Sequence, residues 1–352
     1  MNTARMLVAS ALVSCAALAP ALGQSYSMFK VPLPMVQRSV VSPDVEGRMG
    51  RVAMDPLTGR LYIAALRHGT LQVLDDSGMK VAQVVRDLPE PQGVLVLGDQ
   101  RRVLVSCGDG SVRVFSIGDK GVLSPEREVR LGGEADLMRY DPAAKRVWVG
   151  HGRNVSRFDP ATGEKDKPVV MPGMVEGLAI ELKDGGRVLA SIASEGQIVV
   201  IDKAKNEVSA TWTLKDAKNP NPIAIDEAGG RIFVATRGPG RLLVLGAEDG
   251  AEQARFDIAD DADDCWFDPI GKRVYVSAGG GAGQVAMIRQ TGETFAVEHL
   301  VPTAAGSRTS VLSPERRRLV VIAPKIGDQP TFVYVYVVPN ESESVPAGTK
   351  QP

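Results

Sequence analysis

The sequence predicts an all-β protein: a seven-bladed β-propeller with four antiparallel strands in each blade. A short apolar segment that opens with arginine recurs seven times, and the arginines lie 41 to 45 residues apart, at Arg60, Arg102, Arg146, Arg187, Arg231, Arg273 and Arg318. A period of this length, with several short strands in each unit, is typical of propeller blades. Helical repeats of similar length are excluded, because no longer stretch has the 3.6-residue periodicity of an amphipathic helix.

The first unit shows how strands and turns alternate in a blade. Its predicted strands are 52–54, 61–65, 71–74 and 81–86. Between the first two lies the turn Asp55-Pro-Leu-Thr-Gly59, in which aspartate bonds nearby backbone, proline fixes one φ angle and glycine relieves strain. The same position in other units holds Asp141, Asp226 and Asp268. We interpret these aspartates as turn formers rather than as catalytic residues.

The two ends of the chain predict how the ring closes. The last unit has three strands and lacks a fourth, with the three at 310–312, 319–322 and 331–338. The segment 35–41 precedes the first unit and supplies the missing strand, so that otherwise open sheet edges are paired. We therefore predict one propeller domain over residues 24–339, followed by a disordered polar tail at 340–352.

Residues 1–23 are predicted to be a signal peptide that is removed on export. Arg5 precedes an apolar run, and Ala21-Leu22-Gly23 is a small-x-small cleavage site. The mature protein would begin near Gln24 and lie in the periplasm or be secreted. A second interpretation stays open, because residues 12–15 resemble a bacterial lipobox that would make Cys15 a lipid-anchored N-terminus. No later segment is long and apolar enough to cross a membrane.

Charge and cysteine content exclude several classes of protein. The chain has 41 Lys and Arg against 42 Asp and Glu and no basic stripe interleaved with aromatic residues, so nucleic acid is not an expected partner. Cys107 and Cys265 lie in distant repeats, and we expect two buried free thiols rather than a disulfide scaffold. No Cys/His cluster indicates zinc. The protein is expected to be a monomer.

Three segments carry a resemblance to a known family: Met54-Asp-Pro-Leu-Thr-Gly-Arg-Leu-Tyr-Ile-Ala, Tyr140-Asp-Pro-Ala-Ala-Lys-Arg-Val-Trp-Val-Gly and Phe267-Asp-Pro-Ile-Gly-Lys-Arg-Val-Tyr-Val-Ser. They resemble the YVTN-type repeats of exported bacterial propellers, including the YncE-like family, although the literal Tyr-Val-Thr-Asn tetrapeptide is absent. The resemblance covers nearly the whole mature chain. It implies a propeller fold and, for function, a choice among binding proteins, lactonase-like enzymes and subunits of quinone-dependent dehydrogenases.

A candidate site follows from aligning the repeats at the start of their first strands. In a propeller, the loops that enter the first strands open on one face, around the mouth of the central channel, where binding sites usually lie. Ten residues before each arginine, or eleven in the fourth unit, stand Gly50, Gln92, Asp136, Glu176, Asn221, Asp263 and Arg308. We predict that the six polar members of this ring bind a ligand.

The chemistry of this ring leaves two interpretations open. In one, Asp136, Glu176 and Asp263 hold a divalent cation such as calcium, or an amine-bearing ligand, because carboxylate and amide oxygens are the ligands that Ca²⁺ prefers. Crowded acids would also raise one another's pKa. In the other, the polar side chains simply line a water-filled channel. The acidic segment 260–264 is either a solvated turn or part of the site, and it lacks the EF-hand spacing.

The histidines and a glycine-rich segment are weaker candidates. His68 and His151 are predicted in exposed loops on the same side as the ring, and His299 in an outer strand. No Gly-x-Ser-x-Gly motif of a serine hydrolase is present. The segment 279–283 lacks a following helix and the lysine of a phosphate-binding loop, so it is predicted to be a hairpin loop.

Three functional hypotheses follow from these observations. The leading one is an exported, non-enzymatic propeller that binds a small molecule or a protein partner at the channel mouth. The second is a metal-dependent lactonase or other hydrolase, in which the ring acids hold a cation that activates water. The third is a subunit of a periplasmic redox complex, which would need a partner because the chain shows no haem or quinone-forming motif.

Overall fold

Seven antiparallel sheets of four strands each form a ring in a computed structural model, which describes residues 35–40, 45, 47–76, 80–328 and 330–342. Each sheet is one blade. The inner strands of neighbouring blades contact one another around the ring, and the inner strand of the first blade contacts that of the seventh. The ring is therefore closed, which confirms the predicted seven-bladed propeller.

The strands are numbered in chain order and grouped here by blade, with the inner strand first. Blade 1 holds β2 (Val52–Met54), β3 (Leu61–Ala65), β4 (Thr70–Leu74) and β5 (Val81–Val85); blade 2 holds β6 (Pro91–Leu97), β7 (Arg102–Cys107), β8 (Ser111–Ile117) and β9 (Leu123–Arg130). Blade 3 holds β10 (Ala135–Asp141), β11 (Arg146–His151), β12 (Asn154–Phe158) and β13 (Val169–Val170); blade 4 holds β14 (Val175–Ile180), β15 (Arg187–Ile192), β16 (Gln197–Asp202) and β17 (Glu207–Thr213). Blade 5 holds β18 (Pro220–Asp226), β19 (Arg231–Arg237), β20 (Gly240–Gly246) and β21 (Glu252–Asp257); blade 6 holds β22 (Ala262–Asp268), β23 (Arg273–Ala278), β24 (Gln284–Thr291) and β25 (Thr294–Pro302). Blade 7 holds β26 (Thr309–Ser313), β27 (Arg318–Ala323), β28 (Phe332–Val337) and β1 (Met35–Val40), and single 3₁₀ turns lie at Leu66–His68, Asp119–Gly121 and Ala193–Glu195.

The two ends of the described chain meet in blade 7, as predicted. β1 pairs antiparallel with β28, with Val40 opposite Phe332 and Gln37 opposite Val335. β1 thereby becomes the outer strand of the last blade and covers the edge that β28 would otherwise leave open. The predicted signal peptide with Cys15, the predicted end of this strand at Val41, and residues 343–352 of the predicted tail lie outside the described residues.

Apolar side chains pack between neighbouring blades, because each sheet presents one face to the blade before it and one to the blade after it. Trp148 on β11 is 1% exposed and packs with Leu178 and Val188 of blade 4. Cys107 and Cys265 are buried free thiols in different blades, as expected. Over the described residues, no helix has both the length and the apolar character needed to span a bilayer.

The turn aspartates have the role predicted for them. The Asp55 carboxylate accepts a hydrogen bond from the Leu57 backbone N–H at 3.0 Å, and Asp268 accepts one from the Ile270 backbone N–H at the same distance. Both aspartates are buried, and Arg317 of blade 7 pairs with Asp268 at 2.8 Å. These carboxylates therefore fix the inner hairpins and, in blade 6, also tie one blade to the next.

The inner strands approach one another so closely that side chains are excluded at some contacts. A Cβ atom on Gly177 would lie 1.7 Å from the backbone oxygen of Asn221 in the next blade. The same oxygen accepts a hydrogen bond from the Ser191 hydroxyl at 2.8 Å. An equivalent arrangement joins blades 2 and 3 through Gly93, Ser106 and Asp136. Glycine and serine thus hold the backbone of the next inner strand, including two of the predicted ring positions, in a fixed place.

We expect Gly177→Ala to lower the free energy of unfolding by about 1–3 kcal/mol, because the new methyl group must displace a backbone carbonyl of blade 5. Gly133→Ala is the matched control, since its nearest neighbour would lie at an ordinary 3.5 Å. Chemical denaturation of both variants measures the difference. Equal midpoints would show that the inner strands are not as closely packed as described.

Candidate functional site

Five of the predicted ring residues occupy the same place in their blades. Each is the second residue of an inner strand, and the pairing of that strand with its neighbour is interrupted there by a register shift; the five are Gln92, Asp136, Glu176, Asn221 and Asp263. Bulges of this kind redirect a side chain and release backbone groups from the ladder. Arg308 lies just before β26, and Gly50 just before β2. The repeat alignment therefore finds one end of the channel, which we call the channel mouth.

Arg51 is the central cation of this mouth. One of its terminal nitrogens, Nη1, lies 2.8 Å from Asp264 Oδ1 and 3.5 Å from Asp263 Oδ2, and Nε lies 3.9 Å from Asp136 Oδ1. The Arg51 side chain is 10% exposed. Burial alone would lower its pKa, but the charges of Asp263, Asp264 and Asp136 outweigh this effect and raise it. A guanidinium from blade 1 thus balances acids from blades 3 and 6.

Asp263 has the opposite role, as an acid held among arginines. Its carboxylate pairs with Arg51, with Arg237 of blade 5 and, at 3.7 Å, with Nε of Arg308 in blade 7. Nη1 of Arg308 also pairs with Asp261 at 2.7 Å. Burial alone would raise the pKa of Asp263, but the three guanidinium groups outweigh burial and lower it. Asp263 is therefore ionised throughout the physiological pH range.

Arg237 was not found from the sequence, although it joins three of the predicted ring residues. Its Nη1 lies 3.6 Å from Glu176 Oε2, and it also pairs with Asp263. Asn221 bonds to it when the amide is oriented with its oxygen 2.9 Å from Arg237 Nε. The sequence does contain a signal for Arg237. Six residues after the repeat arginine, the other six units hold Leu, Gly, Gly, Ala, Gly and Pro, so that Arg237 is the one charged side chain at this position.

We call the connected side chains the mouth network; its members are Arg51, Asp136, Glu176, Asn221, Arg237, Asp261, Asp263, Asp264 and Arg308. Gln92 lies apart from this network, because its Nε2 donates instead to the Glu134 carboxylate. Gly50 contributes no side chain. Of the six residues predicted to bind a ligand, five therefore belong to one network, and six of the seven blades contribute to it.

The three acids predicted as metal ligands each have an arginine nearby. Arg51 lies 3.9 Å from Asp136, Arg237 lies 3.6 Å from Glu176, and Asp263 contacts three arginines. Over the residues that the structure describes, no group of three or more His, Cys, Asp or Glu side chains is arranged to hold a metal ion. Calcium binding by these acids stays a prediction, and a cation at this place would have to displace guanidinium groups.

Asp264 is the member of the network with the most unusual protonation. It is 6% exposed, Oδ1 pairs with Arg51, and Oδ2 accepts a hydrogen bond from the Ser310 backbone N–H at 2.7 Å. Burial raises its pKa to about 7 against the attraction of Arg51. The expectation that crowded acids raise one another's pKa applies here, where Asp263 adds to the effect of burial, but it is wrong for Asp263 itself.

Two other sequence interpretations are corrected by the fold. His151 is the last residue of β11 rather than a loop residue; it is buried, with Nε2 2.8 Å from the Ser156 hydroxyl, and burial lowers its pKa. The acidic segment 260–264 is not a solvated turn throughout, because Asp263 and Asp264 are buried in β22.

The other weaker candidates lie where the sequence predicts them. His68 is exposed in a 3₁₀ turn, His299 lies in the outer strand β25, and the segment 279–283 joins β23 to β24.

No family model and no curated protein matches the chain. Among solved structures, it is similar to Kuenenia stuttgartiensis hydrazine synthase, with 18% identity and a TM-score of 0.70 over 84% of this chain and 97% of that one. A chain of the mitotic checkpoint complex gives 13% identity and a TM-score of 0.74 over 94% and 99%. The Cps50 (Swd1) β-propeller domain of Myceliophteria thermophila gives 13% and 0.67 over 88% and 100%. At these identities the likeness shows the fold alone, and propellers commonly bind ligands or proteins.

We expect Arg51→Gln to lower the free energy of unfolding by about 3–5 kcal/mol, because it leaves the buried Asp263 and Asp264 without their central counter-charge. Arg101→Gln is the control, since Arg101 is exposed and its side chain contacts only the exposed Asp119 and the Ile117 carbonyl of its own blade. Urea denaturation at neutral pH measures both. If Arg51→Gln were as stable as the control, burial of Asp263 and Asp264 would not depend on the positive charge of Arg51.

We expect Asp264→Asn to become more stable relative to the wild type as the pH rises from about 5 to 8. The folded-state pKa of about 7 exceeds the ordinary value of 3.8, so folding favours protonated Asp264; this stability is lost progressively as the pH rises from about 4 to about 7, and the difference levels off above that. This loss is at most about 1.4 kcal/mol per pH unit, and the asparagine variant does not suffer it. Unfolding free energies of both proteins across this range test the assignment. If the difference in unfolding free energy between the two proteins stayed constant across this range, Asp264 would not have a raised pKa in the folded state.

Proposed function

We propose that this chain is an exported, monomeric propeller that binds a small charged ligand at the channel mouth without catalysing a reaction. The observation that carries the proposal is the mouth network, in which charged side chains from six blades converge on one end of the channel. Taking so many charges out of water is costly, and apolar side chains of similar size would stabilise the ring as well or better. Their presence at the mouth therefore points to recognition rather than to stability.

Part of the network is open to solvent and can meet a ligand. The side chains of Asp136, Glu176 and Arg237 are 30%, 31% and 30% exposed, whereas Asp263 and Asp264 beneath them are almost fully buried. The buried charges hold the exposed ones in position. A ligand that carries complementary charge can replace a weak contact such as the 3.6 Å pair between Arg237 and Glu176. A protein partner with a charged loop is the alternative occupant of the same surface.

The protonation of the acids supports binding rather than catalysis. A general base works best with a pKa near the operating pH and an open path to the substrate. Asp264 has a pKa near neutrality but no open path to a substrate. It is 6% exposed, and its two oxygens are engaged by Arg51 and by the Ser310 backbone N–H. Asp263 pairs with three arginines, and their charges lower its pKa. The metal-dependent hydrolase and the redox subunit have no comparable support.

Export and family are part of the same proposal. The apolar segment 1–23 with its Ala21-Leu22-Gly23 site supports cleavage near Gln24 and delivery to the periplasm or the exterior. The three Asp-Pro turn segments that precede the repeat arginines support a YncE-like, YVTN-type propeller. N-terminal sequencing of the exported protein tests the cleavage site.

We expect a charged small molecule to stabilise the mature chain against thermal unfolding with a saturable concentration dependence. The screen uses succinate, putrescine and glutamate as representatives of dianions, dications and zwitterions. Loss of one charged hydrogen bond weakens binding roughly tenfold or more, so Arg237→Gln and Glu176→Gln should both shift the affinity of a bound probe. Arg101→Gln, on a distant turn, should not.

Two negative results together would contradict binding at the channel mouth. If no probe binds, and if no protein retained from an extracellular extract is lost when Arg237 and Glu176 are changed, the channel mouth is not a binding site. Retention of a protein partner that depends on these two residues would keep the site but replace the small ligand with a protein.

A further inference from the structure

Arg139 is a cation on an inner strand that the mouth network leaves without an acidic partner. It lies on β10, three residues after Asp136, and its Nη1 donates to the backbone oxygen of Met138 at 2.9 Å. In the part of the chain that the structure describes, its guanidinium has no carboxylate oxygen within 4 Å and no other hydrogen-bond partner. A guanidinium has five N–H donors, so most of those of Arg139 are left for a ligand.

Solvent reaches Arg139 through the central channel. β10 pairs with β11 on its outer side, and the inner strands β6 and β14 contact it from the two neighbouring blades. A side chain in the middle of this strand can therefore be exposed only towards the axis of the ring. Arg139 is partly exposed, and so are Leu95 and Trp266 at the equivalent positions of blades 2 and 6. The guanidinium thus faces a lumen that is open to solvent and also presents apolar surface.

Arg139 is the one charged residue at its level of the ring. Seven residues before the repeat arginine, or eight in the fourth unit, the other blades hold Ala53, Leu95, Ala179, Ala224, Trp266 and Val311. Burial and the charge of Arg51 lower the pKa of Arg139 to about 10, although Asp264 and Asp136 act in the opposite direction. A charge that burial disfavours and that no close ion pair offsets does not stabilise the fold. Its presence in the lumen therefore points to a ligand.

We infer that the channel mouth binds a small zwitterion, with its carboxylate on Arg139 in the lumen and its ammonium group on Asp136 nearer the opening; the inference rests on the proposed binding function. Asp136 is the matching acid because its side chain is 30% exposed and its ion pair with Arg51 is 3.9 Å long. Successive residues of a strand rise by about 3.3 Å, so the α-carbons of Asp136 and Arg139 are roughly 10 Å apart. Two side chains that reach towards each other from this separation leave room for a short amino acid.

The charges around the lumen disfavour other small ions. A phosphomonoester carries about −1.5 to −2 at pH 7 and would meet Asp136, whereas a carboxylate carries a single charge and matches the planar guanidinium with two parallel hydrogen bonds. A simple carboxylate still leaves Asp136 with its weak partner, and a simple amine would be repelled by Arg139. Only a zwitterion gives both of these charges a close partner of opposite sign.

The test uses 4-aminobutyrate as the probe, with butyrate and butylammonium as comparisons, measured by isothermal titration calorimetry on the mature chain. We expect 4-aminobutyrate to bind saturably and at least about tenfold more tightly than either comparison. Arg139→Gln should weaken its binding about tenfold or more, because the variant loses a charge-assisted pair. The same variant should bind butylammonium as well as the wild type or better. Arg101→Gln is the matched control and should bind all three like the wild type.

Stability without ligand separates a binding role of Arg139 from a structural one. We expect the urea midpoint of Arg139→Gln to equal or exceed that of the wild type, because the substitution removes a charge that burial disfavours. Saturating 4-aminobutyrate should raise the midpoint of the wild type but not that of the variant. A ligand-free midpoint clearly below that of the wild type would show that Arg139 supports the fold, and would overturn the inference.

Three binding results would also overturn it. No binding of 4-aminobutyrate would remove the zwitterion, equal binding of butyrate would show that Asp136 does not contribute, and unchanged binding by Arg139→Gln would place the carboxylate elsewhere. The proposed function can stand when this inference fails. It does so if succinate or putrescine binds and is lost on Glu176→Gln, while 4-aminobutyrate does not bind.

Discussion

The pairing of β1 with β28 is the constraint on which the other features depend. It joins residues at opposite ends of the described chain, gives blade 7 its fourth strand, and holds the segment that precedes blade 1 on blade 7, whose inner strand contacts that of blade 1. Only in a closed ring do the inner strands face a common axis, and only there do bulges at equivalent places direct side chains towards one opening. Arg51 and Asp264 are 213 positions apart in the sequence, yet they meet at 2.8 Å because the ring brings blades 1 and 6 to the same mouth.

Most of the fold could be predicted from the sequence, because the information that specifies it is local. Every inner hairpin carries an apolar segment after arginine, and four of the seven also carry a turn aspartate that the structure shows bonding to the turn backbone. The number of repeats then fixes the number of blades. The pairing of the N-terminal strand with the last blade also follows from a count of predicted strands. The last unit has one strand too few, and one strand precedes the first unit.

The candidate site could be predicted in position but not in chemistry. The alignment placed Asp136, Glu176 and Asp263 at one mouth, because equivalent residues of a repeat lie at equivalent heights. It did not show that Arg51 and Arg237 would reach these acids, because such pairs join different blades and depend on bulges and on the length of each side chain. Burial was missed for the same reason: Asp264 and His151 look exposed in a local segment, and only the neighbouring blades cover them.

The charges at the mouth also bear on how a chain of similar repeats reaches one arrangement. Apolar faces of successive blades resemble one another, so packing alone distinguishes poorly between a correct neighbour and a wrong one, which is a common cause of misassembly in repeat proteins. The mouth residues differ from blade to blade: glycine, glutamine, aspartate, glutamate, asparagine, aspartate and arginine follow in order. A ring with an exchanged or missing blade would bury Asp263 without its arginines, at a cost of several kcal/mol. The ion pairs at the mouth would therefore favour the native order of the blades over an exchanged one.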